Sequence, residues 1–206
     1  MDLEKLKNAE AEFLDRYPGG FMHPEMVEIG KKHRMEKLIQ KAQEVFAPEN
    51  FQEIPVMAQN IIKTVTSSSM VSVFEKPKFR DYVNSQTPKE QAAMVAAVYQ
   101  MLHGSMEAGF RSLVEVLKPV KLAKWTLVTV CPAYYRPREE VFIKPTTAKN
   151  VIAYFEVPGL VYSALPTWEF YHKYRQLIHQ MKSQVSEVLS PDNAAFGGFL
   201  MISTGS

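Results

Sequence analysis

The stretch from Thr87 to Gly104 reads TPKEQAAMVAAVYQMLHG and has the pattern of one helix. Thr87 is followed three residues later by Glu90, which predicts a capping box at the helix N-terminus, and Gly104 ends the stretch. Apolar residues then lie on almost every side of the predicted helix: Ala92, Ala93, Met94, Val95, Ala96, Val98, Met101 and Leu102. Because a helix without a polar face is typical of the middle of a core, we predict a central helix here.

Amphipathic helices are predicted on both sides of this central helix, because apolar residues recur at helical spacing between prolines and glycines. They cover about 2–17, 24–47, 55–66, 110–117, 146–155 and 167–188, and a further helix begins near Asp192. The tail from Phe196 to Ile202 is apolar but contains Gly197 and Gly198, so helix and buried strand both stay open for it. The sequence therefore predicts a mainly α fold, an irregular helical single domain over residues 1–206.

A small β element is predicted in the middle of this helical chain. Residues 125–130 alternate β-branched and aromatic side chains, and residues 140–143 do so more briefly, with Pro132 and Pro137 between them. Side chains of this kind fit a pleated surface. We therefore expect a two-stranded β ribbon around 125–143, within an arm that covers residues 119–146.

Length and charge set the frame for any functional hypothesis. The chain has 206 residues, which suits one domain, and its 46% apolar and 22% charged residues are ordinary for a globular protein. The 24 basic and 22 acidic side chains give a net charge of +2. Because the whole chain is close to neutral, any electrostatic attraction to a partner has to be local.

Cysteine content and the N-terminal sequence predict a cytoplasmic protein. Cys131 is the sole cysteine, so the chain forms no internal disulfide and no cysteine-rich zinc site. The N-terminus, Met-Asp-Leu-Glu-Lys, lacks the basic and apolar regions of a secretory signal, and we expect no membrane partner. Cys131 follows an apolar run and precedes a proline, which favours a buried structural thiol over a catalytic one.

The remaining motifs do not predict catalysis, a metal or a cofactor. Glu169-x-x-His172 is half of a helical di-iron motif, and it occurs once. His172 and the polar residues that follow it at helical spacing, Arg175, His179 and Lys182, are better explained as a solvated helix face. His23, Glu25, Glu28 and His33 are spaced so that they do not converge on one helix face. Neither glycine-rich stretch, 17–21 or 196–199, has the pattern of a phosphate loop.

The strongest functional signal is the segment from Lys118 to Lys149, which we call the basic-aromatic segment. It contains seven basic and two acidic side chains, a local net charge of +5, with aromatic residues between them. Cations that bind phosphates beside aromatics that stack on bases are typical of single-stranded nucleic-acid binding. The candidate binding residues are Lys124, Trp125, Tyr134, Tyr135, Arg136, Arg138, Lys144 and Lys149. Alternatively, the aromatics pack on the core and the lysines stay in water.

The same segment resembles part of a group of uncharacterised bacterial proteins. The similarity lies in Trp125-Thr126-Leu127-Val128-Thr129, in Pro137, and in Phe142-Ile143-Lys144-Pro145-Thr146-x-x-Lys149, and it extends to Tyr162 and 168–171. It covers about a third of the chain. The resemblance implies a bacterial, cytosolic origin and no particular activity.

Three functional hypotheses follow. The first is a non-enzymatic binding or regulatory module that contacts nucleic acid or another anionic partner through the basic-aromatic segment. The second is an enzyme in which Tyr134, Tyr135, Arg136, Arg138 and Lys144 hold a small anionic substrate, since arginine binds carboxylate or phosphate in a bidentate manner. The third is a structural homo-oligomer whose arm is exchanged between copies.

Overall fold

Eleven α-helices account for most of the chain in a computed structural model that describes residues 1–205. They are α1 (Leu3–Arg16), α2 (Pro24–His33), α3 (Met35–Val45), α4 (Ile54–Ser67), α5 (Glu75–Ser85), α6 (Pro88–His103), α7 (Met106–Leu117), α8 (Trp125–Tyr135), α9 (Pro145–Tyr154), α10 (Trp168–Lys182) and α11 (Asn193–Ser203). Short 3-10 helices cover Gly20–Met22, Pro48–Gln52 and Glu187–Leu189. The prediction of a mainly helical fold is confirmed, and the tail from Phe196 to Ile202 is helical.

The predicted central helix is α6, and its capping box is present. The Thr87 N–H donates to Glu90 Oε2 (2.7 Å), and the Glu90 N–H donates to the Thr87 hydroxyl (3.4 Å). Helix α6 packs against α4, α7 and α8. One side of α6 reaches solvent at Ala93 and Ala96. Helix α6 is therefore not the most deeply buried helix of the chain, which is α8.

Close packing of α6 and α7 depends on Gly109 at the start of α7. A Cβ atom at this position would lie 2.4 Å from the Met101 backbone nitrogen and 2.6 Å from the Ala97 carbonyl oxygen. Any side chain would push the two helices apart. The glycine therefore allows α7 to fold back directly onto α6.

Helix α8 is the most deeply buried element, and it replaces the first strand of the predicted ribbon. Every residue from Trp125 to Tyr134 is buried, and the helix contacts α3, α4, α6 and α7. The prediction of a β ribbon around 125–143 is therefore wrong, and no strand occurs within residues 1–205. A helix that is buried on all sides has no alternation of apolar and polar sides in its sequence. The strand was therefore predicted from the β-branched and aromatic residues alone. Packing in the core overrides such weak intrinsic preferences.

The second predicted strand, residues 140–143, is extended chain whose backbone is bonded by side chains. The Val141 N–H donates to the Tyr171 hydroxyl (3.3 Å), and the Ile143 N–H donates to the Thr129 hydroxyl (3.1 Å). Helices α10 and α8 thus supply the acceptors that a neighbouring strand would have supplied. This is how a buried extended segment satisfies its backbone without a sheet.

Two further differences concern helix boundaries. The predicted helix over 24–47 is broken at Arg34, which adopts a left-handed conformation (φ 55°) and separates α2 from α3. Helix α5 was not predicted, since Pro77 interrupts its pattern, but a proline in the first turn of a helix is tolerated. The helix predicted over 167–188 is α10, and its N-terminus is capped by Thr167, whose hydroxyl accepts from the Phe170 N–H (3.3 Å).

The buried apolar side chains form one continuous core to which all eleven helices within residues 1–205 contribute. Cys131 lies inside it, and burial raises the pKa of its thiol to about 12. In the described part of the chain, no helix combines the length and apolar character required to cross a membrane.

We predict that Thr129→Val lowers the free energy of unfolding by about 1–3 kcal/mol, because it leaves the buried Ile143 N–H without an acceptor. Urea denaturation followed by circular dichroism measures this change. The matched control is Thr64→Val, since the hydroxyls of Thr64 and Thr129 both donate to the carbonyl four residues earlier. Within residues 1–205 no distant N–H donates to the Thr64 hydroxyl, so equal losses in the two variants would contradict the role given to Thr129.

Candidate functional site

Two of the predicted binding residues, Trp125 and Tyr134, lie inside the core. Trp125 is 1% exposed and its indole N–H donates to the Ser163 carbonyl oxygen (2.7 Å). Tyr134 is fully buried, and its hydroxyl is 2.9 Å from the Ser68 hydroxyl. Their rings are therefore packed against protein and cannot stack on a base while α8 keeps its place.

Four predicted cations, Lys124, Arg138, Lys144 and Lys149, are exposed. The Lys149 ammonium lies over the Tyr162 ring, 4.9 Å from its centroid. Lys144 Nζ lies 3.6 Å from the Met201 sulfur. The lysines thus stay in water, as the alternative interpretation of the basic-aromatic segment expected, while two of its aromatic rings belong to the core.

Tyr135, Arg136 and Arg138 come together in an open cleft of about 470 Å³, beside Gln43, Glu139 and Asp192. Arg136 is already engaged there. Its guanidinium donates to the Met101 carbonyl oxygen (2.5 Å), near the end of α6, and lies 3.7 Å from a Glu139 oxygen. Because the two acidic side chains offset the two arginines, this cleft offers no net positive charge to an anion.

A buried polar network centred on Glu140 lies next to this cleft. Glu140 is 2% exposed, and both of its oxygens accept from Arg175 Nη1 (2.7 and 2.8 Å). The Tyr171 hydroxyl donates to Glu140 Oε2 (2.7 Å), and the Asn193 side chain donates to the Glu140 carbonyl oxygen (3.0 Å). Burial, together with the charge of Glu140, raises the pKa of Tyr171 well above its ordinary value, so Tyr171 remains a donor.

The polar side of α10 is only partly solvated where the sequence predicted a solvated face, since His172, Arg175 and Lys182 are half-buried. Arg175 binds Glu140, and Lys182 donates to the Asn193 side-chain oxygen (2.6 Å). His179 is exposed but lies 2.7 Å from the Glu139 carbonyl oxygen. The polar residues recur along α10 because they contact the chain around Glu139 and Glu140. A helical period shows that one side of a helix is polar, but it does not show whether that side contacts water or protein.

A second cavity, also of about 470 Å³, opens between α2, α10, α11 and the segment around 141–147. We call it the apolar cavity, because most of the side chains that line it are apolar. These side chains include Phe21, Met26, Val27, Ile29, Met35, Met70, Val141, Phe142, Ile178 and Met201. Three glycines, Gly30, Gly197 and Gly198, also line it and leave space that larger residues would fill.

A few polar residues also line the same cavity. Thr147 is 7% exposed, and its hydroxyl is buried without a hydrogen-bond partner among residues 1–205. Burial raises the pKa of Tyr174, which keeps its phenol neutral. Lys144 and His33 are exposed lining residues and therefore lie at the mouth. A mainly apolar wall with few polar groups is typical of sites for small organic ligands.

Sequence reasoning missed the apolar cavity because its walls come from five separate stretches of chain, within 21–35, 69–70, 141–147, 174–178 and 191–201. Of the predicted binding residues, the cavity includes Lys144 alone. One signal was available, since Gly197 and Gly198 interrupt an apolar run. A glycine inside a helix weakens it and often has a packing or functional reason.

Metal-ligating side chains do not gather anywhere within residues 1–205. Glu169 of the half di-iron motif forms an ion pair with Arg111, and the His172 ring lies against Trp168. His23 accepts from the Glu25 N–H (3.3 Å) at the start of α2. Glu169 and His23 therefore have partners within the fold, whereas the buried Nδ1 of His172 has no hydrogen-bond partner among residues 1–205.

Comparison with known proteins gives no relative for this chain. No protein-family model matches it, and no curated protein or solved structure matches it significantly. Function therefore has to be inferred from the site itself.

We predict that Glu140→Gln lowers the free energy of unfolding by about 2–3 kcal/mol, because it leaves the Arg175 charge partly buried without a counter-charge. The denaturant midpoint measures this effect. Glu44→Gln is the control, since Glu44 pairs with Lys41 on the surface and an exposed pair contributes little. A loss at Glu140 no larger than at Glu44 would contradict the structural role of the network.

Proposed function

We propose that this protein is a binding module for a small, mainly apolar molecule, which it holds in the apolar cavity. The observation that carries the proposal is a cavity of about 470 Å³ that opens to solvent and has mostly apolar walls, some of them half-exposed side chains. A cavity of this size is in the range that holds a small organic ligand.

Desolvation supplies the binding energy in this proposal. Each Å² of apolar surface that leaves water contributes about 25 cal/mol. The atoms of the cavity walls also make dispersion contacts with a bound ligand. Helix α2 forms one wall and buries only Met26 among its own residues. A ligand would cover the half-exposed apolar side chains Val27 and Ile29 on this helix.

Catalysis is the alternative, and one contact favours it. His33 Nδ1 lies 2.8 Å from the Ser69 hydroxyl, and both residues line the cavity. A nucleophile beside a base is the arrangement used in acyl transfer, but the base there is oriented by a third group. Within residues 1–205 no carboxylate bonds to His33. We therefore favour binding over catalysis.

Binding of nucleic acid through the basic-aromatic segment stays a prediction. Its exposed cations can contact phosphates, but Trp125 and Tyr134 are not available for stacking while they are packed in the core. The apolar cavity offers a binding site that needs no rearrangement, which is why we propose a small molecule first.

We predict that a neutral environment-sensitive dye, Nile red, binds this protein saturably and that Gly197→Leu weakens the binding at least about tenfold. A Cβ atom at Gly197 meets nothing within 4 Å, so a larger residue can be placed at this position in the cavity wall. The substitution also replaces a helical glycine, which stabilises a helix by up to about 1 kcal/mol. Dye fluorescence and the thermal midpoint are both measured.

The control for this experiment is Ala11→Leu, which adds an apolar side chain to the exposed face of α1, away from the cavity. Gly30→Leu fills the cavity from the opposite wall, where a Cβ atom also meets nothing within 4 Å. We expect both cavity-filling variants to lose dye binding and Ala11→Leu to keep it. If the dye does not bind, or binds all three variants equally, the proposal is wrong.

A further inference from the structure

Three stretches of chain meet at the start of α8: 72–78, 118–124 and 157–167. The first is joined to the helix by the Thr126 hydroxyl, which donates to Glu75 Oε2 (2.6 Å). The third is joined to it by the Trp125 indole N–H, which donates to the Ser163 carbonyl oxygen (2.7 Å). The second ends at Lys124, the N-cap residue of α8. The three stretches therefore lie at one end of the helix, and we call them together the loop end.

Large apolar side chains are concentrated and exposed at the loop end. Val73, Phe74 and Val161 are 69%, 77% and 84% exposed. With Val120 and Leu165, the loop end holds five of the thirteen large apolar side chains that are exposed within residues 1–205. Single apolar residues scattered over a surface are normal, but a group of them with polar residues around it marks a contact surface.

The cations of the loop end are all lysines, and they outnumber its acidic residues. They are Lys76, Lys78, Lys118, Lys121 and Lys124. The sole carboxylate of the three stretches, Glu75, is half-buried and bonded to the Thr126 hydroxyl. Among residues 1–205, the ion pair between Lys118 and Glu115 (3.6 Å) is the one that involves a lysine of the loop end. This surface therefore offers unpaired positive charge around exposed apolar side chains.

This composition distinguishes between three kinds of partner. Protein interfaces are depleted in lysine and enriched in arginine, and the three stretches contain no arginine. Single-stranded nucleic acid stacks on aromatic rings, whereas Phe74 is the one aromatic among the five exposed apolar side chains. A bilayer surface with anionic lipid suits both features, because apolar side chains enter the boundary between headgroups and acyl chains and lysines are attracted to the anionic headgroups.

We infer that the loop end binds the surface of a bilayer that contains anionic lipid. Val73, Phe74 and Val161 enter the headgroup region, and the lysines contact the lipid phosphates and carboxylates. The inference goes beyond the proposed function, since no residue of the loop end lines the apolar cavity. The expectation of no membrane partner rests on the N-terminal sequence, but a protein that binds a bilayer surface needs neither a signal peptide nor a spanning helix.

Sedimentation of the full chain with lipid vesicles tests this inference. One set of vesicles is phosphatidylcholine alone, and the other contains one third phosphatidylserine. We expect the second set to bind the protein at least about tenfold more tightly, since each lysine near an anionic surface raises the affinity about fivefold. Added salt should weaken the binding, because it screens exposed charges.

Two variants address the apolar and the charged part of the surface separately. Phe74→Ser should weaken binding to the phosphatidylserine vesicles at least about tenfold, because the phenyl ring no longer leaves water. The double variant Lys78→Gln/Lys124→Gln should weaken it at least about tenfold and should also reduce its salt dependence. All three residues are exposed, so circular dichroism should show that both variants keep the fold.

Each variant has a matched control. Met22→Ser removes an apolar side chain that is as exposed as Phe74 (78%) from the 3-10 helix before α2. Lys41→Gln/Arg138→Gln removes the same charge near the other end of α8, where the Gln43 side chain donates to the Tyr135 carbonyl oxygen (3.4 Å). We expect both controls to bind the vesicles as the unchanged protein does.

Three results would overturn the inference. The first is no binding to the phosphatidylserine vesicles at low salt, and the second is equal losses in the variants and their controls. The third is binding of a labelled single-stranded oligonucleotide without binding of vesicles, which would assign the lysines to nucleic acid. Nile red binding in the absence of vesicles tests the apolar cavity separately, so each proposal can fail while the other stands.

Discussion

The buried carboxylate of Glu140 is the group on which the rest of the site depends. A charge that is 2% exposed has lost its water, and the loss costs several kcal/mol unless other groups replace that water. Arg175 and Tyr171 on α10 bond to both carboxylate oxygens, and Asn193 at the start of α11 bonds to the backbone. These bonds have directions, so they fix the extended segment 140–143 in one position between the two helices.

The segment 140–143 forms one wall of the apolar cavity, and the bonds to Glu140 hold this wall in place. Val141 and Phe142 follow Glu140 directly and line the cavity, and Lys144 and Thr147 come next at the start of α9. The opposite wall, α2, is held differently, because it buries only Met26 and joins α3 through the left-handed residue Arg34. The cavity therefore lies between a hydrogen-bonded polar network and a helix whose apolar side chains are still half-exposed.

The sequence predicted those elements whose pattern is local. The capping box at Thr87 and Glu90 located α6, and helical spacing located most of the amphipathic helices, because such helices show their buried side as a period. Helix α8 was predicted as a strand because it has no exposed side. Helix α5 was not predicted because Pro77, which lies in its first turn, is usually a sign that a helix is interrupted. The cavity was not predictable, because its walls meet only after folding. Of its lining residues, Lys144 was identified from the sequence by its charge.

Methionine methyl groups allow the central claim, a ligand-binding apolar cavity, to be tested most directly. Met26, Met35, Met70 and Met201 line the cavity, whereas Met57, Met94 and Met101 lie elsewhere in the core. In protein labelled with ¹³C at the methionine methyl groups, we expect decanol to shift the first four NMR signals saturably and to leave the other three unchanged. Shifts in Met57, Met94 and Met101, or no saturable shift at any methyl group, would contradict the account.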